Sequence, residues 1–345
     1  MTKKSNSDEP LQVTIRDVAQ LADVSPATVS KVMNGAPHVS RSAQERVSAA
    51  ISKLNYRPNS VARSLKLKST ATIGLVTDDL EGVFTMSMMR GVEEAVSAQG
   101  FSVFLCNSYG EPLRERQHLE VLLNKQVDGV ILMSGYKVRN RAAPALPLQN
   151  VPVVYLYQYT RELPAPCVLP DDFGGAALGT DHLISKGRRR VALLNGPYRY
   201  EATLSRLAGY RQALEAVGLP FDPALVRVAE WNESSGYTLT RELLALPEPP
   251  DAVLCSSDHL AVGALEAVKE AGLNVPGDVA LVGFDNRYFA AHQRPPLTTV
   301  ALPLREMGKL AGELLIGAIR GQALEPAVPH TVHKIPCYLV QRDSA

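Results

Sequence analysis

A short helical pattern near the start of the chain carries side chains suited to reading DNA. The stretch VTIRDVAQLADVSPATVSKVMNG, residues 13–35, holds two apolar-periodic runs, and the second is mostly small and hydroxylic: Ser25, Ala27, Thr28 and Ser30. These side chains fill little of a core, and Lys31 adds a cation beside them. A helix in the DNA major groove needs an outer face that fits between phosphate walls and offers hydrogen-bond donors, and this pattern meets both needs.

The residues that flank the two runs predict where each helix begins. Thr14 is suited to cap a first helix over 15–22, with Asp17 three residues later completing a capping box. Ser25 is suited to cap the second helix, because Pro26 follows at the first helical position, where its missing N–H costs nothing. Two short helices with a tight connection predict a helix-turn-helix.

A third helix and an uneven charge distribution complete the pattern of the first 70 residues. Ser40 is placed to cap a helix that ends before Pro58, which cannot continue it. Residues 1–70 hold 11 Lys and Arg against 5 Asp and Glu, a net +6, whereas residues 71–345 hold 25 against 30, a net −5. A basic head on an acidic body indicates a polyanionic partner. An ordinary three-helix bundle would explain neither the charge nor the small polar face, so DNA binding is favoured.

From Ala71 onward the pattern changes to buried strands that alternate with helices. Apolar runs such as ATIGLV, VDGVILM and VALVGF alternate with helical runs such as MSMMRGVEEAVSAQG and HLAVGALEAVKEAG. This alternation predicts parallel sheets with helices on both faces, and its repetition predicts two similar lobes. Ligands of such sheets bind beyond the carboxyl ends of the strands, so we expect a small molecule in the cleft between the lobes.

Composition indicates a globular chain of two or three domains. Of its 345 residues 46% are hydrophobic, and no run is long enough for a transmembrane helix. The basic N-terminus has no apolar segment after it, so no secretory signal is expected and the predicted location is the cytoplasm. Four cysteines without CxxC spacing favour buried free thiols over a disulfide or a metal site: Cys106, Cys167, Cys255 and Cys337.

Motifs along the whole chain match one known family. The head has residues 13–35 and VSRSAQERVSAAISKLNYRPNSVARSL, and the body has RGVEEA, RLAGYRQAL, SSDHLAVGALEA and VALVGFDN. From Val13 to about Tyr338 the sequence resembles the lactose-repressor (LacI/GalR) family of bacterial transcription regulators. The resemblance implies an all-α helix-turn-helix head and an α/β two-lobed, periplasmic-binding-protein-like body of two parallel-sheet subdomains. The expected boundaries are 11–57 for the head, 58–68 for a hinge helix and 71–340 for the body, with lobe 1 at 71–168 plus 300–325 and lobe 2 at 169–296 plus 326–340.

The resemblance assigns DNA contacts to residues of the head and the hinge. Positions at or next to phosphates in the family match Thr14, Ser25, Asn34, His38 and Ser40. Positions that reach the groove match Arg16, Pro26, Ala27, Thr28, Ser30 and Lys31, of which Lys31 is the best candidate for reading guanine. The family's hinge folds on operator DNA and wedges a leucine into the minor groove, and the matching hinge residues are Asn59, Ala62 and Leu65.

The resemblance also implies contacts with an effector in the cleft, commonly a sugar or a nucleobase. The matching positions are Asp78, Phe84, Tyr157, Arg206, Trp231, Ser257, Asp258 and Asp285. Carboxylates and arginine bind vicinal hydroxyls, while aromatic faces cover the apolar side of a sugar ring. Three of these residues have a plain alternative, since Asp258 could cap a helix, Asp285 could cap a turn and Arg206 could lie on the surface.

Two departures from the family and one aromatic pattern bear on the ligand. Ser257 stands where the family often has Asn, and Leu302 replaces a polar residue. Tyr155, Tyr157 and Tyr159 alternate along one predicted strand. Together they favour a ligand bound with more stacking, such as an oligosaccharide.

The sequence favours a DNA-binding regulator over an enzyme or a solute-binding protein. Asp and His in GTDHL and SSDHL diverge on a helix, and no serine elbow, phosphate loop or metal spacing occurs, so no catalytic residue, cofactor or metal is expected. A solute-binding protein would need a secretory signal and would lack the head. The chain ends at CYLVQRDSA without a leucine heptad, which predicts a homodimer on a pseudopalindromic operator. An inducing effector is favoured over a corepressor.

Overall fold

The computed structural model describes residues 13–33, 35–37, 39–56, 69–133, 148, 151–158, 165–322 and 331–345. Its contacts divide the chain into a head, residues 1–70, and a body, residues 71–345. The predicted hinge at 58–68 lies outside the described residues. So do several residues named above: Asn34, His38, Asn59, Ala62, Leu65 and Tyr159.

Three short helices form the described part of the head: α1 at Ile15–Leu21, α2 at Pro26–Met33 and α3 at Arg41–Leu54. The Asp17 carboxylate accepts hydrogen bonds from the backbone N–H and the hydroxyl of Thr14, both at 2.8 Å. The backbone bond, followed by the hydroxyl bond, lowers the pKa of Asp17. The carboxylate therefore ties the first turn of α1 to the residue before it, as the predicted capping box requires.

Serine side chains begin the other two head helices, as predicted. Ser25 Oγ accepts from the backbone N–H of Thr28 at 3.1 Å, and Ser40 Oγ accepts from that of Ala43 at 3.3 Å. Pro26 is the first residue of α2. Each cap satisfies one otherwise unpaired N–H group and is worth about 1 kcal/mol of helix stability.

A small apolar cluster joins the three head helices. Each helix contributes one fully buried valine: Val18, Val29 and Val47. Buried alanines fill the spaces between them: Ala19, Ala22 and Ala50. Because these side chains are small, the core can fix the helices while leaving the outer side of α2 exposed.

The first sheet of the body is parallel and has helices on both faces. Its strands are β1 (Thr72–Thr77), β2 (Ser102–Asn107), β3 (Gly129–Met133), β4 (Val153–Leu156), β5 (Cys167–Pro170) and β11 (Val332–Ile335). Their spatial order is β11-β5-β4-β3-β1-β2. One face packs against α4 (Thr85–Ser97) and α10 (Leu304–Ile319), and the other face packs against α5 (Pro112–Asn124).

The second sheet repeats this arrangement with one antiparallel edge strand. Its strands are β6 (Val191–Asn195), β7 (Val226–Val228), β8 (Ala252–Cys255), β9 (Ala280–Asp285), β10 (Thr298–Ala301) and β12 (Tyr338–Val340). Their order is β12-β10-β9-β8-β6-β7, and only the β10–β12 pair is antiparallel. One face packs against α6 (Asp172–Ser185) and α7 (Glu201–Ala216), and the other against α8 (Glu233–Leu244) and α9 (Asp258–Glu270). Short 3₁₀ turns lie at Pro223–Leu225 and Tyr288–His292.

Glycine lets α4 and α10 cross at close range. A Cβ atom on Gly91 would lie 2.1 Å from the carbonyl oxygen of Arg305, and one on Gly308 would lie 2.0 Å from that of Met88. Since both obstacles are backbone atoms, a side chain at either position would force the helices apart. This contact joins a helix of the early sequence to one that arrives some 200 residues later, and so fixes α10 on the first sheet.

The described chain passes between the lobes three times: after β5, after β10 and after β11. The predicted lobe boundaries are therefore wrong in two places. Val332–Ile335 pairs in parallel with Cys167–Pro170 in the first sheet, although 326–340 was assigned to lobe 2. Val300 and Ala301 lie in the second sheet, although 300–325 was assigned to lobe 1. A short apolar run identifies a strand but does not identify the sheet that accepts it.

All four cysteines are free thiols, as predicted. Cys106, Cys167 and Cys255 are buried, and burial raises the pKa of the Cys255 thiol far above its ordinary value. Cys337 differs from the prediction because it is only half-buried, at the connection between β11 and β12. Within the described ranges, every helix is too short or too polar to cross a membrane.

Candidate DNA-binding face and effector cavity

The side of α2 opposite the buried Val29 is accessible to solvent. The residues predicted to meet bases all lie on this helix with exposed or half-buried side chains: Pro26, Ala27, Thr28, Ser30 and Lys31. The predicted phosphate contacts within the described head are likewise exposed, as is the predicted groove contact on α1: Thr14, Ser25, Ser40 and Arg16. The head therefore presents these side chains outward instead of using them in its core.

Lys31 is the charged hydrogen-bond donor on the exposed side of α2. The hydroxyls of Ser25 and Thr28 lie 2.9 Å apart and share a hydrogen bond. In the described part of the chain, the ammonium group of Lys31 forms no ion pair. Lys31 is therefore the side chain of α2 with donors free to reach acceptors of a guanine in the major groove.

The body holds a cavity of about 160 Å³ where the carboxyl ends of strands from both sheets meet. Phe84 and Tyr157 come from the first lobe, following β1 and β4. The second lobe contributes residues that follow its own strands and the start of α7: Tyr200, Arg206, Trp231, Ser257, His259, Asp285 and Arg287. Both lobes thus line one site, at the place where parallel sheets bind ligands.

Arg206 is a buried and fully oriented cation at the floor of this cavity. Its Nε and Nη2 atoms donate to one Asp172 oxygen at 3.1 and 2.9 Å, and Nη1 donates to the Ser256 carbonyl. Its guanidinium stacks 3.8 Å from the Phe284 ring centre and lies 3.9 Å from an Asp285 oxygen. Burial opposes the charge of Arg206, but the two carboxylates outweigh burial and raise its pKa. The alternative of a surface arginine is excluded, because the side chain is 4% exposed.

Asp285 and Asp258 occupy different depths at the end of β9 and the start of α9. Asp285 lines the cavity, and burial raises its pKa well above the usual range despite the opposing charge of Arg206. Asp258 is fully buried beneath it and accepts a hydrogen bond from the Thr299 hydroxyl at 2.6 Å. Burial raises the pKa of Asp258 to about 6. A Cβ atom on Gly283 would lie 2.2 Å from this carboxylate, so glycine makes room for it.

Two pairs of aromatic rings cover the apolar parts of the cavity. Phe84 and Tyr157 have ring centres 5.7 Å apart, and Tyr200 stacks on Trp231 at 4.7 Å with planes 24° apart. The Trp231 ring nitrogen is buried without a hydrogen-bond partner among the described residues. A Cβ atom on Gly196 would lie 1.9 Å from it, so this glycine allows the indole to take its position.

The structure brings together six of the eight residues predicted to bind the effector: Phe84, Tyr157, Arg206, Trp231, Ser257 and Asp285. Asp78 and Asp258 do not line the cavity, because Asp258 is covered by its neighbours and Asp78 lies just after β1 outside the lining. The cap of α9 is Ser257, whose Oγ accepts from the Leu260 N–H at 3.2 Å, and not Asp258.

The aromatic pattern around Tyr157 also differs from the prediction. The strand β4 ends at Leu156, and Tyr157 has a positive φ of 60°. The two tyrosines therefore face different cores: Tyr155 is buried on the α5 side of the sheet, whereas Tyr157 packs on the α4 side and lines the cavity. Leu302 is buried in the second-lobe core and does not line the cavity.

Sequence reasoning missed six residues of the cavity lining: Val83, Tyr200, Ala202, Ser256, His259 and Arg287. His259 contacts the Glu233 carboxylate at 3.3 Å and packs on Phe289 with ring centres 4.7 Å apart. Position relative to strand ends was an available signal, because Arg287 follows β9 by two residues and Tyr200 follows β6 by five.

Comparisons with known proteins agree with this architecture. Residues 14–59 match the family described as bacterial regulatory proteins, lacI family, and residues 180–345 match the periplasmic binding protein-like domain. The ribose operon repressor of Escherichia coli is 35% identical over 332 residues, which are 96% of this chain and 99% of that protein.

Two solved structures extend the similarity to the full fold. A lac repressor dimer bound to operator and the anti-inducer ONPF has a TM-score of 0.77 at 30% identity, over 96% of this chain and 98% of that one. A complex of the transcriptional regulator CelR with cellobiose has a TM-score of 0.66 at 34% identity, over 96% and 100%.

The fold and the two sites define a helix-turn-helix regulator with a periplasmic-binding-protein-like body. The chain belongs to the lacI family of bacterial regulatory proteins. It is a DNA-binding transcriptional repressor that responds to a small-molecule effector.

Proposed function

We propose that the effector is a sugar bound in the body cavity, and that its binding releases the operator. The observation that carries this proposal is the combination of Arg206, Asp285 and two aromatic pairs around one cavity. Guanidinium and carboxylate groups bind hydroxyls, and aromatic faces cover the C–H side of a sugar ring. The similar regulator CelR binds cellobiose, and the similar Escherichia coli protein is a ribose operon repressor, which supports a sugar over a nucleobase.

On the DNA side, we propose that α2 enters the major groove. Lys31 reads a base, while the exposed hydroxyls at the N-termini of α2 and α3 contact phosphates. The predicted hinge contacts remain part of this proposal: Asn59, Ala62 and Leu65. The chain acts as a cytoplasmic homodimer on a pseudopalindromic operator and performs no catalysis. The dimeric state of the similar lac repressor on its operator supports this assembly.

A larger depression on the first lobe does not compete as the effector site. It has a volume of about 650 Å³, lies along α4 and α10, and is more open to solvent than the cavity. Two pairs of its charged side chains already interact, since Arg305 donates to both Glu94 oxygens at 2.8 Å and Lys309 lies 3.8 Å from Glu313. Among the described residues, no strand end or aromatic ring lines it, so this part of the surface lacks the groups that position a sugar.

The test is selection of operator DNA by the full-length protein. Random duplexes are bound, recovered and sequenced with and without a panel of sugars, beside a Lys31→Ala control. An enriched palindrome that is lost when one sugar is added supports induction and names the sugar. Enrichment only in the presence of a ligand would mean that the effector promotes operator binding, as a corepressor does. No enrichment under any condition would contradict the assignment of α2.

A further inference from the structure

Arg287 is a cation in the cavity wall whose guanidinium forms no ion pair with a described residue. It is half-buried and lines the cavity near Asp285. Its backbone N–H donates to the Asp258 carboxylate, but its guanidinium forms no hydrogen bond or ion pair with any described residue. The guanidinium instead lies over two aromatic rings, 5.8 Å from the centre of Phe84 and 5.9 Å from that of Phe289.

The other arginine of the cavity has no comparable freedom. Arg206 uses Nε, Nη1 and Nη2 to hold Asp172 and the Ser256 carbonyl, and its side chain is 4% exposed. Its charge is balanced by Asp172 at 2.9 Å and approached by Asp285 at 3.9 Å. Arg206 can therefore contribute its remaining donors to a ligand, but it carries no unbalanced charge.

The nearby carboxyl groups of Asp258 and Asp285 interact with the charge of Arg287 at longer range, but neither forms an ion pair with its guanidinium. Asp258 is engaged with the Thr299 hydroxyl and the Arg287 backbone, on the buried side of the cavity wall. Burial raises the pKa of Asp285 well above its usual range, and the charges of Arg206 and Arg287 oppose this effect. Neither carboxylate lies within 4 Å of the Arg287 guanidinium.

We infer that the effector carries an anionic oxygen group, a carboxylate or a phosphate, and that Arg287 binds it. This inference rests on the proposed function, because it specifies the class of sugar: a sugar acid or a sugar phosphate. A guanidinium presents a planar fork of donors that matches both groups. The Arg287 guanidinium lies 5.8 Å from the Phe84 ring centre and 5.9 Å from that of Phe289, and no described residue uses its N–H donors. A neutral oligosaccharide, which the aromatic pattern of the sequence favours, would supply no counter-charge.

The test is calorimetry of the full-length protein with matched sets of ligands. Each set holds a neutral pentose or hexose, its aldonic or uronic acid, and its phosphate. We expect one acid or phosphate to bind at least about tenfold more tightly than its neutral parent. Arg287→Gln should weaken binding of that anion by about tenfold to a hundredfold, and Arg287→Lys by less, because lysine keeps the charge without the fork.

Two controls separate a ligand contact from a structural role. Arg294→Gln changes an exposed arginine of the same loop, which within the described chain donates to the carbonyls of its sequence neighbours His292 and Gln293, and it should leave binding unchanged. Raising the salt concentration should weaken anion binding by the unaltered protein and have little effect on Arg287→Gln. Thermal unfolding verifies that Arg287→Gln is folded.

The possible outcomes distinguish this inference from the proposed function. If a neutral sugar binds most tightly, or if Arg287→Gln binds the anion normally, the assignment of Arg287 is wrong while the sugar response stands. If no member of any set binds or alters operator affinity, the sugar proposal fails together with this inference. Tighter binding of the acid identifies a carboxylate as the anionic group, and tighter binding of the phosphate identifies a phosphate.

Discussion

The ion pair between Arg206 and Asp172 is buried on both sides, at 4% and 3% side-chain exposure. Removing one member of such a pair leaves an uncompensated charge, which costs about 3–5 kcal/mol. We therefore expect Arg206→Met to lower the free energy of unfolding of the body by that amount in urea denaturation. Asp172→Asn added to Arg206→Met should recover part of the loss, since it removes the stranded carboxylate.

A matched arginine on the same helix provides the control. Arg211 pairs with Glu215 at 2.7 Å, but both side chains are more than half exposed. Exposed pairs of this kind contribute about 0–1 kcal/mol. Arg211→Met should thus change stability little, and an equal loss in both variants would show that Arg206 is not held as a buried charge.

The Asp258 carboxyl gives the body an unusual response to pH. Its pKa is raised to about 6 by burial, against an ordinary value of 3.8. Because the folded chain holds this proton more tightly than the unfolded chain does, Asp258 stabilises the fold at low pH, and this contribution disappears as the pH rises through about 6. We expect the stability of the unaltered protein relative to Asp258→Asn to increase by about 1 kcal/mol between pH 7 and pH 5.

An exposed carboxyl should behave differently in the same experiment. The backbone N–H of Asn274, followed by its side chain, lowers the pKa of Asp278. The contribution of the Asp278 carboxylate to folding stability is lost only as the pH falls below about 4. The difference in stability between the unaltered protein and Asp278→Asn should therefore stay constant between pH 7 and pH 5. If the stability difference between the unaltered protein and Asp258→Asn also stays constant from pH 7 to pH 5, Asp258 does not take up a proton in the folded state over this range.

At the scale of the element, α2 makes a specific prediction about base reading. Lys31→Ala should reduce discrimination between the operator and single-base variants by about 1–3 kcal/mol at the base that Lys31 reads. Fluorescence anisotropy at fixed salt, with duplexes recovered by selection, measures this change. Lys53→Ala, in the last turn of α3, should preserve discrimination. If Lys31→Ala weakens all duplexes equally, Lys31 contacts a phosphate instead.

The local elements followed from the sequence because their signals are local. Serine caps at Ser25 and Ser40 act within one turn, and continuous apolar strands can only be buried on both faces. The sheet to which Val332–Ile335 belongs did not follow, because pairing with β5 depends on three passages of the chain between the lobes. Local pattern carries no information about such distant partners.

The cavity was predictable only in part, for a related reason. Arg206 and Trp231 were identified through family resemblance, whereas periodicity alone would have left Arg206 on the surface of a helix. Arg287 was missed because its position two residues after a strand end is shared by cavity residues and ordinary turn residues, so this signal alone does not separate the two. Tyr157 departs from strand alternation through its positive φ, a backbone feature that a tyrosine side chain does not signal.

At the scale of the whole molecule, effector and operator must influence each other equally. If the sugar weakens operator binding by a given factor, the operator weakens sugar binding by the same factor. This coupling between sugar binding and operator binding requires that the two lobes can adopt two arrangements, and that some contacts within the body are made in one arrangement and not in the other. Phe84 is placed to provide one, since it packs against the apolar cores of both lobes.

Phe84→Ala should therefore weaken both effector binding and its effect on DNA. The ring lies 5.7 Å from that of Tyr157 in its own lobe and 5.8 Å from the Arg287 guanidinium in the other. We expect the effector-induced change in operator affinity to fall by at least about fivefold, while operator affinity without effector stays within about twofold. Tyr109→Ala, an exposed aromatic of the first lobe outside the cavity, is the matched control. If Phe84→Ala responds normally, the lobes transmit the effector signal without this contact, and the body's switch must lie in the backbone connections that follow β5, β10 and β11.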